Sequence, residues 1–323
     1  MARYLITGIA GFIGSALAHA LVARGEQVRG IDNLSSGHRE NLADIENNIE
    51  FIEGDLLDKP VLIEAVRDVD YVLHHAAIPS VPLSVADPDT TNEVNLTATL
   101  RVLLAARDTG VKRVVYASSS ALYGDSQVLP KHEAMRPEPI SPYAVQKLAG
   151  EAYMRSFSRV YGLATVALRY FNVFGPRQDP TSQYSGVLAR FVIQMLQGNP
   201  PVIYGDGLQS RDFVYIDDVV AANLLACSAP AASVVGTAFN IASGQRTSVL
   251  QAYIAIARAL NFTAAPVFAP VRTGDIQHSV ADITLAVRKL GYVPRTTFEQ
   301  GLAPTIEWYK NKARNGDMAQ KAA

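Results

Sequence analysis

The eight residues TGIAGFIG, Thr7 to Gly14, decide how the rest of the chain folds. They follow a β-branched run, Arg3 to Thr7, and lead into GSALAHALVARG, whose apolar residues recur at helical spacing. Glycine at 8, 11 and 14 permits a tight strand-to-helix turn, lets the backbone approach a ligand and lets the helix pack close on a sheet. The first helical amides, at Phe12, Ile13 and Gly14, lack intrahelical partners and carry the positive end of the helix dipole, which suits a pyrophosphate. The spacing is GxxGxxG rather than GxGxxG, and three glycines alone also fit an ordinary βα turn. The next run, QVRGID, decides between the two. It ends in Asp32, about twenty residues on, where a carboxylate would accept hydrogen bonds from an adenosine ribose. A bound dinucleotide is therefore expected. Asp32 would repel a 2′-phosphate and only Asn33 follows it, which favours NAD over NADP; His38 and Arg39 read as solvated loop residues.

Outward from this stretch, the first half of the chain alternates short β-branched runs with longer helical patterns. The runs are RYLIT, QVRGID, IEFIEGD, VDYVLHHAA, VKRVVYASS and ATVALRYFN, with helices such as NEVNLTATLRVLLAARDTG between them. This predicts an α/β fold, a Rossmann-type doubly wound parallel sheet with right-handed crossovers. After Asn172 the pattern loosens through VFGPRQDPTSQYSG. A helix near Val187 to Gln197, strand-like PVIYGDG and RDFVYID, a helix DDVVAANLLACSA, a strand TAFNIAS and a helix from Ser248 to Leu260 follow. The expected division is a dinucleotide domain over 1–170, to which 212–240 returns, and a smaller C-terminal α/β substrate lobe over 171–211 and 241–312. A frayed tail is expected over 313–323.

With 323 residues, 49% apolar and 18% charged, the chain can bury a full core. A formal net charge of −1 without long basic runs gives no electrostatic reason for a nucleic-acid or membrane partner. The single cysteine, Cys227, leaves no internal disulfide and no cysteine metal cage, which fits a reducing compartment, the cytoplasm by default. The N-terminal apolar stretch is broken by Arg3, glycines and His19 and reads as mature structure.

Other strand ends point to the same site, because ligands of open parallel sheets bind at the carboxyl ends of strands. Asp55 and Leu56 stand where a carboxylate could hold an adenine amino group, and Ala76 and Ala77 are small where a cofactor would pass close to the backbone. His74 and His75 suggest a metal only until a third ligand is sought; none stands at suitable spacing.

The stretch ISPYAVQKLAGE, Ile140 to Glu151, places Tyr143 and Lys147 four apart on one helix face, roughly 6 Å along the axis. A charge about 4 Å from a phenolate at an effective dielectric near 20 is worth roughly 4 kcal/mol, on the order of three pKa units. That would bring the phenol towards neutrality and make it a general base, while the lysine could also hold a nicotinamide ribose. An exposed aromatic beside a solvated lysine would show the same spacing. The run VKRVVYASSSALYG adds Ser118, Ser119 and Ser120 at a strand end, hydroxyls able to polarise the same substrate oxygen.

Together TGIAGFIG, SSSALYG, SPYAVQK and RYFNVFGP resemble the extended short-chain dehydrogenase/reductase family, specifically its NAD-dependent nucleotide-sugar 4-epimerases, over the chain as far as Lys310. The resemblance implies that Tyr143 is the catalytic base and acid, Lys147 its electrostatic partner and Ser119 the second hydrogen-bonding group, with Ser120 the next choice. It implies a structural or cofactor-site role for Asn95, and places Tyr170 and Phe171 near the nicotinamide. One departure is Pro79, where some UDP-galactose 4-epimerases carry a lysine that meets the cofactor phosphates. In the C-terminal lobe the resemblance implies a UDP-sugar site. Asn172 would contact the diphosphate, Arg211 and Arg272 would bind its charges, and Asp275 would take a uridine-ribose hydroxyl. Val202, Ile203, Tyr204 and Val249 would wall the uracil, and Val187 joins the same set. Two guanidiniums against a diphosphate supply both charge and forked donors. Asp212 and Asp217 are expected to be structural.

The same resemblance implies the reaction: proton removal from the sugar 4-hydroxyl with hydride transfer to NAD, then hydride return to the other face. Related dehydratases and decarboxylases need a carboxylate beside the serine, and Ser118 to Ala121 has none. Ser279, four residues after Asp275, occupies a position where a bulky tyrosine excludes N-acetyl groups. A small residue there leaves room for UDP-GlcNAc and UDP-GalNAc as well as UDP-glucose and UDP-galactose. Alternatives are a 4-epimerase of UDP-glucuronate or UDP-GlcNAcA, or another nucleotide-sugar oxidoreductase or dehydratase on the same scaffold. A non-catalytic NAD-binding protein would be expected to lack the Tyr143/Lys147 pair. The helices around Val94 to Arg107 and Tyr143 to Tyr161 carry apolar residues on more than one face, so a homodimer through them is expected.

Overall fold

A computed structural model describes residues 1–179, 186–271 and 277–314. The β-branched runs become strands β1 (Arg3–Thr7), β2 (Gln27–Asp32), β3 (Ile49–Glu53), β4 (Tyr71–His74), β5 (Arg113–Ser119) and β6 (Thr165–Tyr170). Short strands β7 (Asn172–Phe174), β8 (Val202–Tyr204), β9 (Ser210–Arg211) and β10 (Phe213–Tyr215) follow, then β11 (Thr237–Ile241), β12 (Thr247–Ser248) and β13 (Val267–Ala269). The helices are α1 (Phe12–Ala23), α2 (Lys59–Val66), α3 (Val81–Ala86), α4 (Pro88–Asn92), α5 (Ala98–Asp108) and α6 (Pro142–Tyr161) in the first half. After them come α7 (Val187–Leu196), α8 (Ile216–Ser228), α9 (Ala231–Val234), α10 (Val249–Leu260), α11 (Thr284–Leu290) and α12 (Phe298–Arg314).

Seven strands form one sheet in the order β11-β6-β5-β4-β1-β2-β3, with every pairing parallel. This is the doubly wound arrangement the alternating pattern predicts. The chain direction across the sheet reverses between β1 and β4, whose register pairs Thr7 with His74. Their following loops therefore open side by side at the carboxyl edge, the place such sheets hold ligands. Alternate residues cover opposite faces. Leu5, Val72, Val114 and Ala167 pack in a core with residues of α2, α5 and α6, while Ile6, Leu73, Val115 and Leu168 pack in another with residues of α1 and α8. Leu5, Ile6, Val72, Leu73, Val114 and Val115 are wholly buried, each worth about 1.5–3 kcal/mol relative to exposure.

The second core continues without a break into residues of α7, α10, α12 and β10. The C-terminal lobe is thus built on the same apolar mass as the sheet, from three two-stranded pairs: β7 with β10, β9 with β12, and β8 with β13. β13 and the two last helices carried no clear signal in the sequence. The predicted long helix after Thr91 is interrupted by a single π-helical turn, Glu93–Thr97, between α4 and α5. Helix α12 runs to Arg314, past the start of the expected tail; 315–323 lie outside the described residues. No helix among the described residues is long and apolar enough to cross a membrane.

Candidate active site

The glycine turn closes as tightly as its residues allow. Gly8 has φ +71, and a Cβ on it would stand 2.8 Å from the Ala76 amide nitrogen; one on Gly14 would stand 2.0 Å from the Gly8 carbonyl oxygen. The β1 loop, the first turn of α1 and the loop after β4 therefore meet at backbone contact. Gly11 caps α1 with no side-chain bond, so the amides of Phe12, Ile13 and Gly14 face outward. At the end of β2, Asp32 is 8% exposed; its two oxygens accept the Ala10 amide and the Leu34 amide, each at 2.9 Å. Burial raises its pKa, and its remaining lone pairs await further donors, which a ribose diol would supply. Asn33 donates to Asp55 at 2.9 Å, and Asp55 also accepts the Leu57 amide at 2.8 Å, beside buried Leu56. These residues fit a dinucleotide, with a bare backbone for the pyrophosphate and a buried acid for the ribose.

The loop after β4 is held from beneath by a complete hydrogen-bond chain. Thr99 donates to the Asn95 carbonyl at 2.7 Å and so accepts from His74 Nε2 at 2.9 Å. His74 Nδ1 then accepts from Thr7 at 2.8 Å, leaving the Thr7 oxygen to receive the His75 and Ala76 amides, each at 3.1 Å. Burial holds His74 neutral by pushing its pKa down to about 3. Its role is to fix the loop, and no group of three potential metal ligands occurs among the described residues. Asn95, 1% exposed, spends its amide on Ile78 and Gln146, accepting the Ile78 amide at 2.7 Å, and so pins the backbone just past Ala76 and Ala77. Tyr170 is buried, its hydroxyl hydrogen-bonded to His75 and Asn223.

Tyr143 and Lys147 project from the first turns of α6 over the end of β5. Lys147, 4% exposed, donates to the Ala117 carbonyl at 2.8 Å, and its ammonium lies 5.0 Å from the ring centre of Tyr116 and 5.9 Å from that of Tyr143. The Tyr143 hydroxyl meets Ser119. Ser119 also caps the short turn Ser120–Tyr123 by accepting the Ala121 amide at 3.1 Å, while Ser120 begins that turn half-buried. Ser118 faces the other way, bonded at 2.5 Å to Glu151.

One expectation fails here. The phenol is not lowered: burial raises the pKa of Tyr143, and only the Ser119 hydrogen bond opposes it. Burial instead lowers Lys147 to about 8. The reason is geometric. The ammonium is committed to a backbone carbonyl, and desolvation of both groups outweighs their attraction.

In the lobe, Asn172 is exposed, and its backbone N–H donates to the Asp212 carbonyl at 3.0 Å where β7 meets β10. Arg211 donates to the Ser210 carbonyl at 3.0 Å, and the Ser279 amide donates to that same carbonyl at 3.0 Å. Asn172, Arg211 and Ser279 thus sit on adjoining segments. The Val249 amide donates to the Gln209 carbonyl at 2.9 Å and Gln209 donates to the Tyr204 carbonyl at 2.7 Å, which gathers Val249 and Tyr204; Val202 and Val187 are half-buried at the starts of β8 and α7. Arg272 and Asp275 lie outside the described residues. Asp212 is wholly buried and accepts four donors, from Ser243, Gly244 and Ala281.

Behind these groups runs a buried network that the motifs did not reveal. Glu151 receives Arg169 through two bonds of 2.9 and 2.7 Å; Arg169 also donates to the Tyr123 hydroxyl at 2.9 Å, and Tyr123 donates to Asn240 at 2.7 Å. Glu151 stands four residues beyond Lys147, so a third member of the Tyr143 helix face was available in the spacing; the identity of its partner was not.

The model for the NAD dependent epimerase/dehydratase family matches residues 4–242. The chain is 40% identical over 316 residues to the UDP-glucose 4-epimerase of Mycolicibacterium smegmatis, covering 97% of this chain and 100% of that one. It is similar, at TM-score 0.92 and 40% identity over 96% of this chain and 99% of the other, to a UDP-N-acetylglucosamine 4-epimerase from Methanobrevibacter ruminantium solved with UDP-N-acetylmuramic acid. It is also similar to the UDP-glucuronic acid 4-epimerase from Bacillus cereus solved with UDP-glucuronic acid and NAD, at TM-score 0.88 and 31% identity over 96% and 99% of the chains. The family match runs from β1 to β11, across the whole dinucleotide sheet, and the likeness to 4-epimerases continues through the lobe: the chain belongs to the NAD dependent epimerase/dehydratase family, among its NAD-dependent nucleotide-sugar 4-epimerases.

Proposed function

We propose that the chain interconverts the 4-epimers of UDP-hexoses, UDP-GlcNAc with UDP-GalNAc and UDP-glucose with UDP-galactose. The observation that carries this reading is the meeting of Tyr143 and Ser119 above a buried Lys147, in a strand end whose neighbours Ser118, Ser120 and Ala121 include no carboxylate. Gly8, Gly11, Gly14 and the amides of Phe12 and Ile13 would hold the pyrophosphate of NAD. Asp32 and Asn33 would hold its adenosine ribose, Asp55 and Leu56 its adenine, and Ala76, Ala77 and Tyr170 the path towards the nicotinamide, with Lys147 on the second ribose. Bound NAD supplies a hydride acceptor and, once reduced, a donor. Tyr143 takes the proton of the sugar 4-hydroxyl and later returns it, while Ser119, with Ser120 beside it, steadies the same oxygen. With no carboxylate at Ser118, Ser120 or Ala121 to serve elimination, the flat 4-keto sugar would turn and be reduced on its other face.

The UDP moiety is assigned to Asn172, Arg211, Val187, Val202, Tyr204 and Val249, with Arg272 and Asp275 completing it. Ser279 supports the N-acetylated substrates, since its small side chain takes little volume beside Arg211. A homodimer through α5 and α6 is supported by exposed Val145 (51%) and Val160 (68%) on α6, with Leu100, Leu104 and Tyr153, which pack on the core, left half-buried.

Incubation with UDP-GlcNAc, UDP-glucose and UDP-glucuronate separately, with products resolved by NMR, tests the assignment. Inversion at C4 with unchanged mass is expected for the first two. Loss of water or carbon dioxide, or inversion of the uronate alone, would overturn it. Light scattering on the purified protein tests the dimer.

A further inference from the structure

The first turn of α6 has a full account of its amide protons, and one of them leaves the helix. Pro142 has none to give. The Ala144 amide donates to the Ser141 hydroxyl at 3.2 Å and the Val145 amide to the Ser141 carbonyl at 3.0 Å. The Tyr143 amide reaches instead across to Oγ of Ser84 in α3, at 3.0 Å. The Ser84 hydroxyl gives its only proton to the Val81 carbonyl at 2.7 Å, so a lone pair faces Tyr143. Ser84 is wholly buried, which leaves it no surface with which to touch a ligand.

The location of α3 gives this bond a consequence. Helix α3 is capped by Ser80, which accepts the Leu83 amide at 3.0 Å immediately after the loop from Ala76 to Pro79. Asn95 fixes that loop through Ile78, and the Thr7 hydroxyl fixes it through Ala76. A continuous set of bonds therefore runs from the cofactor-facing loop, through α3, to the backbone of Tyr143.

We propose that Ser84 is a positioning residue for the reaction, setting the distance between the Tyr143 hydroxyl and the dinucleotide by anchoring the Tyr143 backbone to the loop after β4. The proposal rests on the reading of Tyr143 as the base. Without the Ser84 oxygen the Tyr143 amide is left unpaired in a buried setting, and the first turn of α6 relaxes until it finds another partner. A shift of about 1 Å at a reacting group can cost up to 100-fold in rate.

The test compares Ser84→Ala, Ser84→Thr and Tyr143→Phe with the parent protein, measuring kcat, KM, bound NAD, thermal transition and deuterium exchange at the Tyr143 amide. Ser84→Ala should keep its NAD and its cooperative transition, lose about 10- to 100-fold in kcat with KM changed less than about threefold, and exchange the Tyr143 amide faster. Ser84→Thr, which retains the oxygen, should recover most of kcat. A Ser84→Ala protein with parental kcat overturns the proposal, as does a kcat that falls only in proportion to lost NAD or lost fold. Turnover retained in Tyr143→Phe removes the base assignment itself; an inactive Tyr143→Phe beside a fully active Ser84→Ala removes only the role of Ser84.

Discussion

The Gly8 carbonyl oxygen lies 2.0 Å from the point where a Cβ on Gly14 would stand, and all three atoms nearest that point are backbone, which cannot swing aside. Gly14→Ala should therefore open the β1–α1 turn. We expect a loss of about 3 kcal/mol or more in stability and protein that purifies without NAD. Gly25→Ala is the comparison. Its φ is +73 but its Cβ would meet nothing within 4 Å, so it should cost only about 1 kcal/mol and keep its NAD. Urea denaturation and cofactor absorbance check both, and equal losses in the two variants would refute the close-approach argument.

Lys147→Met separates stability from activity. Burial lowers the lysine to about 8, so folding carries the cost of an ammonium in an apolar setting at pH 7. Methionine keeps the stem without the charge. The variant should melt at or above the temperature of the parent when both are stripped of NAD, while turnover falls at least about 100-fold. A large drop in melting temperature would show that the bond to Ala117 contributes more than the charge costs.

Glu151 and Arg169 are 3% exposed each and share two hydrogen bonds. Removing one partner strands the other, and Glu151→Met or Arg169→Met should each cost about 3–5 kcal/mol. The double variant Glu151→Met, Arg169→Met should lose less than the sum of the single replacements. Chemical denaturation of the four proteins gives the coupling directly; strict additivity would contradict the pairing.

Acid should destabilise the fold through its adjacent histidines. Burial depresses His74 to about 3 and His75 to about 4 from 6.5. Between pH 6.5 and about 4 the unfolded chain binds protons on both that the folded chain refuses, so stability falls as pH falls through this window. His75→Gln should flatten the slope by one proton, about 1.4 kcal/mol per pH unit, measured by denaturant titrations at several pH values. An unchanged slope would place the acid sensitivity elsewhere.

Much of this architecture could be read from the chain because its signals are local. A glycine turn beside a β-branched run, an acid at the end of the next strand, and Tyr143 four residues before Lys147 each report a short-range geometric demand, and the structure places each at the carboxyl edge of the sheet. The partner of a side chain is a different kind of information. Nothing near Ser84 indicates that its oxygen serves Tyr143, 59 residues away, and nothing near Arg169 announces Tyr123. The sign of the Tyr143 shift is likewise not legible, because charge spacing is visible in sequence whereas desolvation depends on everything packed around the pair.

The chain of contacts from Glu151 through Arg169 and Tyr123 to Asn240 also couples α6, β6, β11 and the short turn after β5 behind Tyr143 and Ser119, with Asn240 going on to the carbonyls of Lys131 and Asp282. A support tied at so many points has little give. On the proposed reaction, the half-turn of the keto sugar would then fall to bonds of the substrate itself, with this side of the protein as a fixed bearing.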